Sequence, residues 1–331
     1  MKYSFGDAAL SLVATAVLAA CAIAPTPSPT AVPESNQLVA IKVGEIALDE
    51  AASFWADAPR LELPTRGVGV REEDRVPGPT ITLQAAYDAS SLVLRAEWAD
   101  PTESIWKNAW TWDGSTFTKS GDEDRLMFHW PMGNYAEFAT KGCGAICHAD
   151  TEKIEEWWMG STNPDERYDQ WHWKSTLTNP VGQADDRWLG IQADPTDMAS
   201  AHYGDAKEGG GEKANVNEEK TGPAFMNGRD PTSPFIFAGE EIPIDISALS
   251  PGTIVPGYIL SPFVGSRGDV AAKGTWSDGK WTVLIRRALN TGHDDDVVFT
   301  PPKPVPFGVA VMDNNSYKHM VVPKVVTLRW R

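Results

Sequence analysis

Short runs of β-branched and aromatic residues, each closed by Gly, Pro, Asp or Asn, set the limits on how this chain can fold. Thr80 to Gln84, Ser91 to Trp98, Arg125 to Trp130, Lys280 to Arg287, Phe307 to Met312 and Lys324 to Trp330 all read as strands. Leu92, Leu94, Ala96 and Trp98 alternate with other side chains, the two-residue period of a strand with one buried face. Asp278-Gly279 between Trp276 and Trp281 is a hairpin turn signal. Helical patterning is scarce, with Ala47 to Ala56 and Thr151 to Met159 as the best short candidates. Many short strands at irregular spacing predict an all-β, antiparallel sandwich.

Between Ala199 and Ser233 the pattern gives way to a polar, glycine-rich stretch that includes Gly209-Gly210-Gly211. Strands after it need partners from before it, so the stretch reads as a long polar loop insertion within one domain. The roughly 290 residues beyond the N-terminal segment suffice for one large domain. No internal repeat is visible.

Met1 to Cys21 reads as an export signal rather than as fold. Lys2 precedes a short apolar run, Ala8 to Leu18, and Leu18-Ala19-Ala20-Cys21 looks like a bacterial lipobox, which implies cleavage before Cys21 and lipidation of its thiol. An ordinary cleaved signal is the competing reading. The run is too short for a comfortable membrane span. Residues 22–40 follow as a tether, with Pro25, Pro27, Pro29 and Pro33 favouring extended polyproline II, and 41–331 form the folded domain. The expected location is therefore the periplasmic or extracellular face, lipid-anchored to the membrane, where covalent haem attachment and disulfides are both permitted.

Cys143-Gly144-Ala145-Ile146-Cys147-His148 is the strongest chemical motif. A covalently attached haem uses two thiols for its vinyl groups and an adjacent histidine for its iron, usually with two residues between the cysteines. Here there are three. Residues four apart share one face of a helical turn, so Cys143 and Cys147 could reach one macrocycle edge, with His148 as proximal ligand. The same spacing, roughly 6 Å between α-carbons, also fits a disulfide. Zinc is disfavoured, since the chain has only 3 cysteines and Cys21 is otherwise explained.

The formal net charge is −16, which argues against nucleic acid and suits either solubility or an acidic docking face for a basic redox partner. The 14 tryptophans fit a porphyrin wall, a sandwich core or a sugar groove alike. No enzymatic constellation stands up: no hydrolase triad or phosphate loop is recognisable, and Asp294-Asp295-Asp296 lacks the spacing of a calcium loop.

In order and spacing, several motifs resemble one family. Asp124-Arg125 and Trp130-Pro131 precede the cysteine motif, and Asp169-Gln170-Trp171-His172-Trp173-Lys174 follows it. Gly210-Gly211 with Asn215, Gly265 to Val270, Asp278-Gly279-Lys280-Trp281, Arg286 to Thr291 and Phe307 to Asn314 complete the set. From roughly Ile41 to Arg331 the chain resembles the ethylbenzene-dehydrogenase-related haem-binding domain, the fold of the haem-carrying gamma subunits of type II molybdoenzymes. The resemblance implies an immunoglobulin-like β-sandwich that buries one haem and transfers electrons. Those gamma subunits hold haem b through a methionine and a lysine. Here the cysteines and His148 stand in the methionine region, which implies a c-type relative carrying one haem c.

The resemblance also implies that a second ligand arrives near the C-terminal strand. His319 is the histidine there and is the expected distal ligand, with Lys324, Met159 and His172 as alternatives. His202, His129 and His293 are weaker candidates. Arg267 and Lys174 are candidates to pair with haem propionates. The expectation is an exported, lipid-anchored monohaem c-type cytochrome, an electron-transfer protein rather than an enzyme. Two alternatives stand beside it. One is a haem-free carbohydrate- or solute-binding lipoprotein with Cys143 and Cys147 in a disulfide, since the fold is distantly related to sugar-binding modules. The other is an accessory haem subunit of a larger oxidoreductase complex.

Overall fold

The computed structural model describes Met1 and residues 36–331, with a folded unit over Asn36–Arg331. Cys21 and its lipobox lie outside the described residues. The first strand, Gln37–Lys42, begins inside the expected tether, because Leu38 and Ala40 are buried side chains of the sheet.

Strands dominate, and the α-helix among the described residues is the short segment Phe138–Lys141. Each sequence-predicted strand lies within or overlaps an observed one. Both helix candidates reduce to single 3-10 turns, Ser53–Ala56 and Ile154–Glu156. Too few residues are available to offset helix nucleation. In the second case the next residues, Trp158–Met159, pair instead with Cys147–His148. No helix among the described residues is long and apolar enough to cross a membrane.

Thirteen strands form one continuous sheet. One half runs through His202–Gly204, Asp185–Leu189, Tyr168–Lys174, Arg125–Pro131 and Val305–Met312. The other runs through Leu61–Gly67, Pro77–Tyr87, Ser91–Ala99, Lys280–Ala288 and Ala271–Ser277. The sheet folds over so that the halves face each other: Trp173 meets Trp98 and Trp281 edge-on, with ring centroids 6.1 and 4.9 Å apart. The expected all-β sandwich is therefore the observed architecture. Edge-to-face pairs of this kind add about 1 kcal/mol beyond the apolar area they bury.

Within this sheet the strand pairing is antiparallel except at the closing strand. Gln37–Lys42 runs parallel to Val326–Trp330 on one side and to Pro77–Tyr87 on the other. The hairpin signal is exact to the residue: Asp278 and Gly279 adopt φ of 52° and 73° between Ala271–Ser277 and Lys280–Ala288. Two consecutive positive φ values match the twist of the flanking strands. The polar insertion is more ordered than its composition suggests. Its Gly209–Ala214 strand pairs with Tyr258–Val264, and Asn215 ties Phe225 and Pro256 through their carbonyls at 2.8 Å each.

Candidate functional site

Two adjacent strands build the site. In Arg125–Pro131 and Tyr168–Lys174 every residue is buried on both faces. Alternation divides them chemically. Leu126, Phe128, Trp130, Trp171 and Trp173 join the core between the sheet halves. Arg125, Met127, His129, Gln170, His172 and Lys174 take the opposite, outer face. A polar outer face can be buried only if other segments cover it, and residues 135–160 and 312–321 do so, packing Phe138, Cys143, Ile146 and Met159 onto Met127, Ala310 and Met312.

This cover leaves a cavity of about 340 Å³. Its lining brings together Cys147, Met159, His172 and His319, four of the residues singled out from sequence, with His202, Met127, Met312, Arg125, Lys174 and Arg187. Trp157 and Trp158 wall one side.

The imidazoles are neutral and soft donors surround them. His319 is 4% exposed, and its Nδ1 lies 2.9 Å from the Tyr317 carbonyl. That carbonyl accepts the Nδ1 proton, so Nε2 carries the lone pair, 3.1 Å from Cys147 Sγ. Burial lowers the His319 pKa. Burial, reinforced by the cations Lys174 and Arg125, pushes His172 well down. His202 falls to about 4 through burial and the charges of Arg187 and Lys174. The Cys147 thiol is pushed up to about 12 by burial and by Asp150, so it is a protonated donor to His319.

The His172 Nε2 atom is buried and has no hydrogen-bond partner. The Nε groups of Arg125 and Arg187 share that condition. An imidazole nitrogen and two guanidinium N–H groups are thus buried without partners on residues that line one cavity. Lys174 and Arg125 also have partners: Lys174 Nζ donates to Asp185 at 2.6 Å, and the Arg125 guanidinium to Glu123 and Ser316 at 2.9 Å each.

The remaining sequence candidates stand elsewhere. Cys143 is buried among apolar side chains, its Sγ 3.7 Å from His129 Nδ1 and so close to Gly308 that a methyl group there would overlap it. The two cysteines diverge because the chain leaves its helical turn at Gly142, which adopts φ of 54°, and continues through a 3-10 turn before Cys147 enters a strand. They share no helical face, and both thiols are free. His148 stacks on Trp158 with centroids 3.9 Å apart, and its Nε2 lies 3.1 Å from the Gly160 carbonyl, outside the cavity lining. Lys324 is exposed. Arg267 turns from the cavity to donate to Asp185 at 2.7 Å, and His129 is occupied by Gln170 at 2.9 Å. His293 is exposed and 2.8 Å from Asp269. Sequence reasoning missed Arg187 and gave Arg125 no role in the site; the signal for Arg125 was its alternation with core residues on a strand buried on both faces.

The class is defined by an all-β sandwich with a partly open cavity lined by imidazoles, thioethers and arginines. A family model described as ethylbenzene dehydrogenase matches residues 52–321, and the chain belongs to that family. No curated protein matches the chain. Among solved structures it is similar to a putative carbohydrate-binding protein from Bacteroides uniformis, at 8% identity and a TM-score of 0.40, covering 89% of this chain and 99% of that one. It is also similar to a family 9 carbohydrate-binding module from Caldicellulosiruptor kristjanssonii in complex with cellotriose, at 8% identity and a TM-score of 0.35, covering 89% and 94%.

Proposed function

We propose that the outer-face cavity holds one haem and that the domain transfers electrons. The carrying observation is the buried, unpartnered His172 Nε2 in a cavity shared with His319 and flanked by arginines with free N–H donors. His319 and His172 are the proposed axial donors, with Met159 as the thioether alternative, and Arg125 and Arg187 would meet the propionates. Bound there, the haem would supply a one-electron couple. Around it the chain contributes neutral imidazoles, a carbonyl that orients His319, and apolar cover that excludes water.

Cys147 would form one thioether, and Cys143 would reach the same edge only if the Gly142–Ala145 turn re-seats. The pyridine haemochrome of protein matured with haem tests this, because its α band moves to shorter wavelength with each thioether formed. We expect a haem-stained band after denaturation and a low-spin spectrum that changes on adding dithionite. His319→Ala should turn the ferric haem high-spin while the chain keeps its fold. Protein that shows no Soret band and binds no added haem would refute the reading; an unaltered spectrum in His319→Ala and His172→Ala, with a change in His148→Ala, would move ligation to His148.

Anchoring through Cys21 is part of the proposal and rests on the lipobox alone; a Cys21→Ser chain should leave the membrane fraction. The acidic surface suits a basic redox partner.

A second reading draws on a separate groove of about 580 Å³, where Trp112 and Phe117 stand beside Asn217, Glu218 and Glu219. Aromatic faces next to amide and carboxylate oxygens suit a sugar ring. Quenching of Trp112 fluorescence by glucose or cellotriose, absent in Trp112→Ala, would support it.

A further inference from the structure

Behind the cavity, on the inner face of the same strands, lies a group of charges that electron transfer does not use. Alternation along Tyr168–Lys174 sends Asp169 inward with Trp171, and Asp186 pairs opposite Trp171. Arg187 pairs with Gly204, so the next step of that antiparallel register sets Asp205 opposite Asp186. Asp296 arrives from the loop after Lys280–Ala288. Carboxylate oxygens of Asp169, Asp186 and Asp296 lie within 4.8 Å of one another, in a part of the sandwich where Asp186 is 0% and Asp205 is 3% exposed.

Arg287 is bonded within the group, while Arg267, paired with Asp185, lies beside Asp205. Arg287 donates to Asp169, to Asp296 at 3.0 Å and to the Val297 carbonyl, and its guanidinium lies over Trp171. Asp296 accepts a second bond from Thr291, and Asp169 one from the Val297 N–H at 2.9 Å. The rest is unmatched: both oxygens of Asp186, both of Asp205 and Oδ1 of Asp169 are buried with no partner. Asp205 is not one of the three mutually close carboxylates, so its burial without a partner is an independent sign that something is to be held here. The loops are already fastened, since Asp295 accepts from Ser266 at 3.1 Å and from the Ala206 N–H at 3.4 Å.

We infer that Asp169, Asp186 and Asp296 bind one calcium ion between the sheet halves, beside Arg287, with the buried Asp205 carboxylate next to them. The donors are all oxygens, which excludes a preference for zinc. Magnesium keeps several waters and demands an octahedron, whereas calcium accepts an irregular set of carboxylates, mono- or bidentate, in a site as enclosed as this. Asp169, Asp186 and Asp296 against the Arg287 guanidinium leave two negative charges, which a divalent ion neutralises. In its absence burial and mutual repulsion favour the protonated acids.

The test uses the full chain, stripped with EDTA and titrated with calcium chloride by calorimetry, with terbium luminescence excited through tryptophan as a second readout because Trp171 adjoins the site. We expect one calcium per chain, a melting temperature that climbs with calcium concentration, and little response to equal magnesium. Asp186→Asn and Asp205→Asn keep side-chain shape and should weaken binding by more than about tenfold, while Asp294→Asn, exposed in the same loop, should not. Calcium uptake is read with or without haem, so its outcome is separate from that of the cavity. The inference fails if the stripped wild type takes up no calcium, or if Asp186→Asn and Asp205→Asn bind as the wild type does. It also fails if calcium leaves the wild type unmoved while those variants melt higher in chelator, which would make the aspartates a store of protonated acid.

Discussion

The two faces of the Tyr168–Lys174 strand are buried equally and serve opposite ends. Inward, Trp171 and Trp173 fill the space between the sheet halves with tightly packed rings. Outward, His172 and Lys174 line a space that the chain does not fill. The same backbone thus carries a face where packing supplies stability and a face that borders a cavity. Burial alone does not mark a core; what matters is whether the buried atoms are satisfied.

The sharpest way to break this comparison is to truncate neighbours on opposite faces. Trp171→Ala should cost about 3–5 kcal/mol, read from urea denaturation. His172→Ala should cost about 1 kcal/mol or less, since its Nε2 bonds to nothing. Equal losses would mean the outer face is core as well.

Gly308→Ala probes a point where the outer cover sits hard on the sheet. A methyl group would meet Cys143 Sγ and should cost about 1–3 kcal/mol. Most of that loss should return in a Cys143→Ala background. If it does not, Cys143 is not packed where the structure has it.

Titration separates the faces by sign. His172, His202 and His319 have folded pKa values below the ordinary 6.5. The unfolded chain takes up protons the folded one refuses, so stability should fall as pH drops from 6.5 toward 4. Asp186 and Asp205 lie above the ordinary 3.8, Asp205 at about 9. Their contribution is full below 3.8 and lost as pH rises toward 9, in chelator. Each fully shifted group contributes a slope of up to about 1.4 kcal/mol per pH unit. Denaturation in EDTA from pH 4 to 9 should show His172→Gln flattening the acid limb and Asp205→Asn the alkaline one. The same variant flattening both limbs would contradict the division.

A change that touches neither face calibrates the rest. Gly279→Ala, at φ of 73° in the hairpin turn, should cost about 1 kcal/mol and leave both pH limbs unmoved.

Much of the fold was legible because strands and turns announce themselves locally. Asp278-Gly279 needed nothing beyond its neighbours. The site was legible by residue and not by geometry. His319, His172, Met159 and Cys147 were named, and they meet around one cavity. Cys143 and Cys147 were placed on one face by assuming a helical turn, which Gly142 ends. Arg125 and Met127 were given no place in the site, because the segment that buries them follows in sequence and folds back onto the strand. The aspartates at 169, 186, 205 and 296 carry no spacing signal at all, since strand register assembles them.

The parallel pairing of Gln37–Lys42 with Val326–Trp330 has a consequence for synthesis. The first strand of the domain cannot be flanked on both sides until residue 330 has been made, which at ribosomal rates is roughly 15–60 s after residue 42. Throughout that interval one edge of Gln37–Lys42 offers unpaired backbone groups to any neighbouring chain. The nascent protein is therefore most exposed to mispairing just before it is finished, and a holding factor would matter most for chains stalled short of their last strand.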